Sequence, residues 1–252
     1  MEKSPINVLF GNIINRFETI QSTTLEEHYK AIKSGYISPQ IGYDNSPKKL
    51  KTPCSNTKSR QIYLQETYLS FLWSNIYSIF VIHENGIQKR MLEGTWDGVI
   101  QYDTPLLKRA EELLLWSISS IDQYSEWDIT LPNPKIHEND EEKKYAERVN
   151  GIFQDAVSFL MFHEYAHLTL GHDKFFKEKT NELNDNVVSL FIELEKEADD
   201  LALDKVGKDN ISSMIAVVFV ITSSLLIEPI KNQTLQTKHP TTDNRLFNIL
   251  QN

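Results

Sequence analysis

Cysteine is nearly absent from this chain: Cys54 is the only one in 252 residues. That excludes an intramolecular disulfide and any thiolate-built metal site, so a metal centre here must be assembled from histidines and carboxylates. Positive charge is also scarce. Lysine and arginine number 26 against 35 aspartates and glutamates, a net charge of −9. The chain therefore lacks the basic excess that nonspecific nucleic-acid binding needs to displace counterions from phosphates, and no nucleic-acid partner is expected. The opening MEKSPINVLF has no charged n-region, long apolar core or small-residue cleavage site. With the lone cysteine, this points to a cytoplasmic protein in a reducing compartment.

Long hydrophobic runs are missing as well, with one exception. Residues 211 to 227, ISSMIAVVFVITSSLLI, carry no charge. A bilayer span takes about 20 predominantly apolar residues, and the serines and threonine here put the segment at the short, polar edge of that range. A buried core helix is the favoured reading. Peripheral or single-span membrane association is the alternative.

What is present reads as mainly α, an α+β domain with a small sheet. Residues 1–60 form a helical N-terminal extension followed by an exposed loop, and residues 61–252 form the main domain. Within the extension, Thr23 and Thr24 ahead of Glu26 and Glu27 supply an N-terminal helix signal. The Ser-, Pro-, Asn- and Lys-rich stretch 34–60 reads as loop. Residues 61–82 place aromatic and aliphatic side chains at helical spacing, a core stripe, with Asn85-Gly86 closing the helix or turning a hairpin. A helix is expected over 105–123. The alternation in 126–131, EWDITL, reads as a strand, ended by Pro132 and Pro134. Further helices are expected from the acidic stretch 138–142 to Gly171, from Asn184 or Asp185 to Val206, and over 241–250.

The helix ending at Gly171 contains His163-Glu164-Tyr165-Ala166-His167, the H-E-x-x-H pattern. Positions four apart share a helix face, so both imidazoles can reach one metal ion. Glu164 is placed to deprotonate a water at that metal. A catalytic zinc keeps three protein ligands, so the third must come from elsewhere. The run ELEKEADD on the following helix offers Glu193, Glu195 and Glu197. Glu195 and Asp199 share a face and Glu197 points nearly opposite, so Glu195 is the expected third ligand and Asp199 the carboxylate that orients His163. A metzincin turn is excluded, because its glycine would have to stand where Leu170 does. His172, half a turn out of phase on a continuing helix, reads as a capping or surface residue.

Three ordered motifs, HEYAHLTLGH, then Glu195-Lys196-Glu197-Ala198-Asp199, then His239-Pro240-Thr241-Thr242-Asp243-Asn244-Arg245, resemble those of gluzincin zinc peptidases related to the CAAX prenyl peptidases. In size and motif placement the chain is similar to the phage-exclusion Lit-type peptidases, which act inside the cell on a host protein. The resemblance implies one zinc ion on His163, His167 and Glu195, Glu164 as general base, Asp199 behind a ligand, and His239 or Arg245 binding substrate or the oxyanion. It implies hydrolysis of a peptide bond in an intracellular protein or peptide substrate by metal-activated water, in phage exclusion, with an activating partner as a further expectation. Gluzincins align substrate along an edge strand, a role for which 126–131 is the candidate. The alternatives are a noncatalytic zinc-containing peptide-binding or sensor module, and a repressor-cleaving regulatory peptidase.

Overall fold

The computed structural model describes residues 4–179, 185–227 and 241–251. The architecture is mainly helical with one small three-stranded sheet. In chain order a 3-10 turn (Pro5–Leu9) leads into α1 (Phe10–Thr19) and α2 (Thr24–Lys33). Strands β1 (Gly42–Asp44), β2 (Cys54–Asn56) and β3 (Gln61–Gln65) follow, then α3 (Glu66–Val81), a π-helical turn (Ile82–Gln88), α4 (Lys89–Leu92) and α5 (Pro105–Ser119). The remaining helices are α6 (Asp140–Thr169), α7 (His172–Lys179), α8 (Asp185–Val206), α9 (Ile211–Ile227) and α10 (Thr242–Gln251). Residues divide into two compact units.

The first unit comprises residues 1–11, 45–51 and 66–153. Its centre is α3, whose aromatic stripe is buried on nearly every face, against the Leu107, Ala110 and Leu113 face of α5. Trp73 stacks on Tyr77 at 5.2 Å and donates its indole N–H to Asn150 at 2.8 Å. Helix α5 starts where Thr104 accepts the Leu107 N–H and Pro105 occupies a first-turn position that needs no donor. Helix α6 starts at Asn139, whose side chain accepts the Glu142 N–H at 2.9 Å.

Two sequence expectations fail in this unit. Residues 126–131 form no strand. The Asp128 carboxylate accepts both the N–H and the hydroxyl of Thr130, at 2.9 and 2.7 Å, and the Leu131 N–H bonds the Asp128 carbonyl, so a local turn outcompetes extended backbone. Trp127 packs between Trp73 and Trp116 instead of alternating along a sheet. Nor does Asn85-Gly86 stop α3 or turn a hairpin; the chain widens into a π-helical turn. Asn85 donates to the Tyr145 hydroxyl at 2.8 Å, and Glu84 accepts from Tyr145 and Arg148. A Cβ at position 86 would lie 3.1 Å from Ile100, so glycine permits that close approach.

The second unit comprises residues 12–44, 52–65 and 154–252. Its sheet has the order β1-β3-β2, with β1 parallel and β2 antiparallel to β3, so β2 is an edge strand. The β2–β3 turn is held by Asn56, whose side chain accepts the N–H groups of Lys58 and Ser59. The C-terminal half of α6 is buried through Ala156, Val157, Phe159, Phe162 and Ala166. Phe17 of α1 meets Phe162 at 4.5 Å. Asp155 accepts from Arg16 at 2.6 Å and from the Ser213 hydroxyl of α9. Helix α9 buries Ala216, Val217, Val220 and Ile221, and among the described residues no helix is long and apolar enough to cross a membrane.

Candidate metal centre

Helical periodicity places His163 and His167 one turn apart near the C-terminal end of α6. Their Nε2 atoms approach to 3.0 Å. From α8, Glu195 offers Oε2 at 3.4 Å from the Nε2 of His163 and Oε1 at 3.4 Å from that of His167. All three residues are buried, and their ligand atoms lie within 4.8 Å of one another. Donors about 2.05 Å from a tetrahedral ion are roughly 3.3 Å apart, so the two imidazole nitrogens and a Glu195 oxygen are close enough to share one ion. Two imidazole nitrogens facing each other at 3.0 Å also need a cation or a proton between them. The donor set therefore fits a metal ion, and one of nitrogen and carboxylate oxygen suits zinc better than calcium or magnesium.

Behind each imidazole stands an orienting group. The Oδ1 of Asp199 is 2.9 Å from the Nδ1 of His163, so an Nδ1–H donates to the carboxylate and turns Nε2 toward the cluster. Asp199 is gripped in turn by Arg245 from α10. The Nδ1 of His167 faces the Nδ1 of His172 at 3.1 Å, and the Nε2 of His172 reaches Oε2 of Glu197 at 3.1 Å.

The charges follow from this packing. Burial disfavours a charged His163, but the hydrogen bonds and charges of Asp199 and Glu195 outweigh it and push the imidazole up to about 10 in the metal-free chain. Burial would raise Asp199, yet Arg245 and His163 hold it at about 2. Glu164 is raised, first by its desolvation, with His163 and Ser55 opposing. Ser55 on edge strand β2 donates both its hydroxyl and its backbone N–H to the Glu164 carboxylate.

Of the residues expected from sequence, His163, Glu164, His167, Glu195, Asp199 and Arg245 converge here, and His239 lies outside the described residues. Three participants were not anticipated. Ser55 sits in a stretch whose composition reads as loop. His172 is 3% exposed and not a surface residue, because α6 ends at Thr169, Gly171 turns the chain with φ +78° and a new helix starts at His172, which voids the phase of a continuing helix. Glu197 points away from the ligands, as its phase dictates, and there it meets His172.

A family model described as Peptidase U49 matches residues 62–252. No curated protein and no solved structure matches the chain.

Proposed function

The chain belongs to the peptidase U49 family, and from that premise we propose that it is a zinc-dependent endopeptidase whose ion is held by His163, His167 and Glu195. The observation that carries the metal reading is the convergence of those three buried side chains, with the imidazole nitrogens 3.0 Å apart and each of them 3.4 Å from one of the two Glu195 oxygens. Among the described residues no fourth acidic, histidine or cysteine side chain joins them, which favours an open catalytic site over a closed structural one.

A zinc ion held there would supply Lewis acidity, lowering the pKa of water toward about 7 and polarising the scissile carbonyl. The protein's own groups do the rest. Glu164, next to His163 and raised above the ordinary carboxylate value by its burial, accepts the proton of the attacking water and returns it to the leaving amine. Ser55 holds the Glu164 carboxylate in place with two donors. Because Ser55 lies on edge strand β2, a substrate laid along that edge would bring its scissile bond beside Glu164, a role that residues 126–131 cannot take as a strand. Asp199 fixes the tautomer of His163, and Arg245 acts through Asp199 rather than on the substrate. His239 retains the substrate- or oxyanion-binding role implied by the motif resemblance.

The narrower form of the proposal is a gluzincin of the Lit type, cutting an intracellular protein in phage exclusion once an activating partner engages it. The order of the three motifs around His163, Glu195 and His239 supports it. The test pairs metal analysis of protein purified without chelator with N-terminus mapping in cells expressing wild type or Glu164→Gln. About one zinc in both proteins, with new N-termini only in the wild-type cells, is the expected result. Undiminished cleavage by Glu164→Gln, or protein without metal, overturns the proposal; stoichiometric zinc without any cleavage points to the noncatalytic module.

A further inference from the structure

Both histidines of the proposed metal centre need a partner at Nδ1, yet the two are served differently. Behind His163 stands a buried carboxylate, Asp199, neutralised by Arg245. Behind His167 stands a second imidazole, His172, itself 3% exposed. Only beyond that ring comes a carboxylate, Glu197, whose side chain is 58% exposed.

We infer that His172 and Glu197 form a positioning pair that fixes the ring orientation and tautomer of His167 for metal binding. The inference rests on the metal reading above and extends it to residues outside the ligand set. One arrangement of protons satisfies the contacts among His163, His167, His172 and Glu197. His167 must keep its Nε2 lone pair free toward His163 and Glu195, so its hydrogen is on Nδ1. The Nδ1 of His172 lies 3.1 Å from that nitrogen, so it accepts the N–H. The hydrogen of His172 is then on Nε2, and it donates to the Oε2 of Glu197 at 3.1 Å. Glu197, an acceptor at both oxygens, selects the tautomer of His172 and through it the tautomer of His167. In the opposite tautomer of His172, two N–H groups would oppose each other at Nδ1 and the carboxylate would face a bare lone pair.

The local fold is built for this. Gly171, at φ +78°, turns the chain so that α7 begins at His172 and folds the ring back against His167 five positions earlier. Glu197 lies one residue before buried Ala198 on α8, the helix that also carries Glu195. One helix therefore supplies a ligand from one face and, from another, the acceptor that sets the tautomer behind a second ligand.

The test measures zinc affinity by chelator competition and the visible spectrum of the cobalt-substituted protein for wild type, His172→Ala, His172→Asn and Glu197→Ala. Outer partners of metal-bound histidines are typically worth roughly 10–100-fold in affinity. His172→Ala is expected to lose an amount in that range and to shift the cobalt ligand-field bands. His172→Asn, whose side-chain oxygen can stand in for the accepting Nδ1, is expected to recover both. Glu197→Ala should fall between wild type and His172→Ala. Unchanged affinity and spectrum in His172→Ala overturn the inference. So does an equal loss in the Ala and Asn variants that tracks a common drop in metal-free melting temperature, since that pattern belongs to packing alone. Wild-type protein that takes up no zinc instead overturns the metal reading itself, a separate outcome.

Discussion

Arg245 grips Asp199 with two parallel hydrogen bonds, 2.8 Å from Nε to Oδ2 and 2.6 Å from Nη2 to Oδ1, in a largely buried pair. The same Oδ1 accepts from His163, so α10 is wired to an imidazole of the candidate metal centre through one carboxylate. Removing one member of such a pair strands the other charge away from water. Arg245→Leu is accordingly expected to destabilise the metal-free protein by about 3 kcal/mol in denaturant unfolding. It should also weaken zinc binding, because Asp199 loses the guanidinium that holds it. Equal unfolding midpoints for the two proteins would contradict this.

The same pair sets a pH profile for the stability of the metal-free protein. His163 is pushed up to about 10, above an unfolded value near ~6.5. Its contribution is therefore complete below about pH 6.5 and is lost as pH rises through about 10. Asp199 is held at about 2, below an unfolded value near ~3.9. Its contribution is complete above about pH 4 and is lost as pH falls toward 2. Unfolding free energy is thus expected to fall from pH 6 to pH 9 in chelator-treated protein, and Asp199→Asn should flatten that fall. Zinc affinity runs the other way, rising with pH, because the ion must displace the His163 proton.

Metal removal gives a third expectation. Three buried donors gathered at one point in the folded chain are dispersed in the unfolded one, so binding and folding are coupled. Free zinc at about a thousand times its dissociation constant should stabilise the fold by about 4 kcal/mol, read as a rise in melting temperature over chelator-treated protein. Magnesium and calcium, which prefer oxygen donors, should leave the midpoint unchanged.

These expectations draw on the part of the site that sequence made legible, and the reason is geometric. His163 with His167 and Glu195 with Asp199 are each four residues apart within long helices, and a regular helix converts such spacing into a shared face without further information. The helices themselves were readable from apolar periodicity and from stops such as Gly171 and Gly207. What escaped sequence reading depends on contacts far along the chain or on one local competition. Cys54, Ser55 and Asn56 have little strand character, and β2 exists because β3 pairs with it. In 126–131 the alternation was genuine, but the Asp128 side chain captured the Thr130 N–H. His172 was misplaced because its phase was counted through a helix that Gly171 had already ended.

That glycine supplies a fourth prediction. Its φ of +78° lies in the left-handed region, where a side chain costs about 1–2 kcal/mol, and a Cβ there would meet no atom within 4 Å. Gly171→Ala should lose about that much stability through backbone strain alone. Because His172 follows directly, zinc affinity is expected to fall as well, whereas Gly207→Ala, at φ +93° after α8, should carry a similar backbone cost with affinity unchanged. Matching affinities in the two variants would show that the Gly171 turn does not place His172.

Ser55 tests the edge-strand arrangement from the opposite side of the site. It offers Glu164 two donors, a hydroxyl and a backbone N–H, and only the first belongs to the side chain. Ser55→Ala therefore keeps the N–H and the strand, and kcat is expected to drop by roughly tenfold, a fraction of the 10²–10⁴-fold that a general base contributes. Zinc content should not change, because Ser55 touches none of the three donors. Ser55→Pro removes the N–H as well and leaves the carboxylate without either donor, so its loss of kcat should approach that of Glu164→Gln. If the alanine variant turns over at the wild-type rate while the proline variant is dead, the backbone N–H alone positions Glu164 and the hydroxyl is incidental. If both keep full activity with zinc bound, β2 does not border the reacting bond and the substrate must be aligned by another segment.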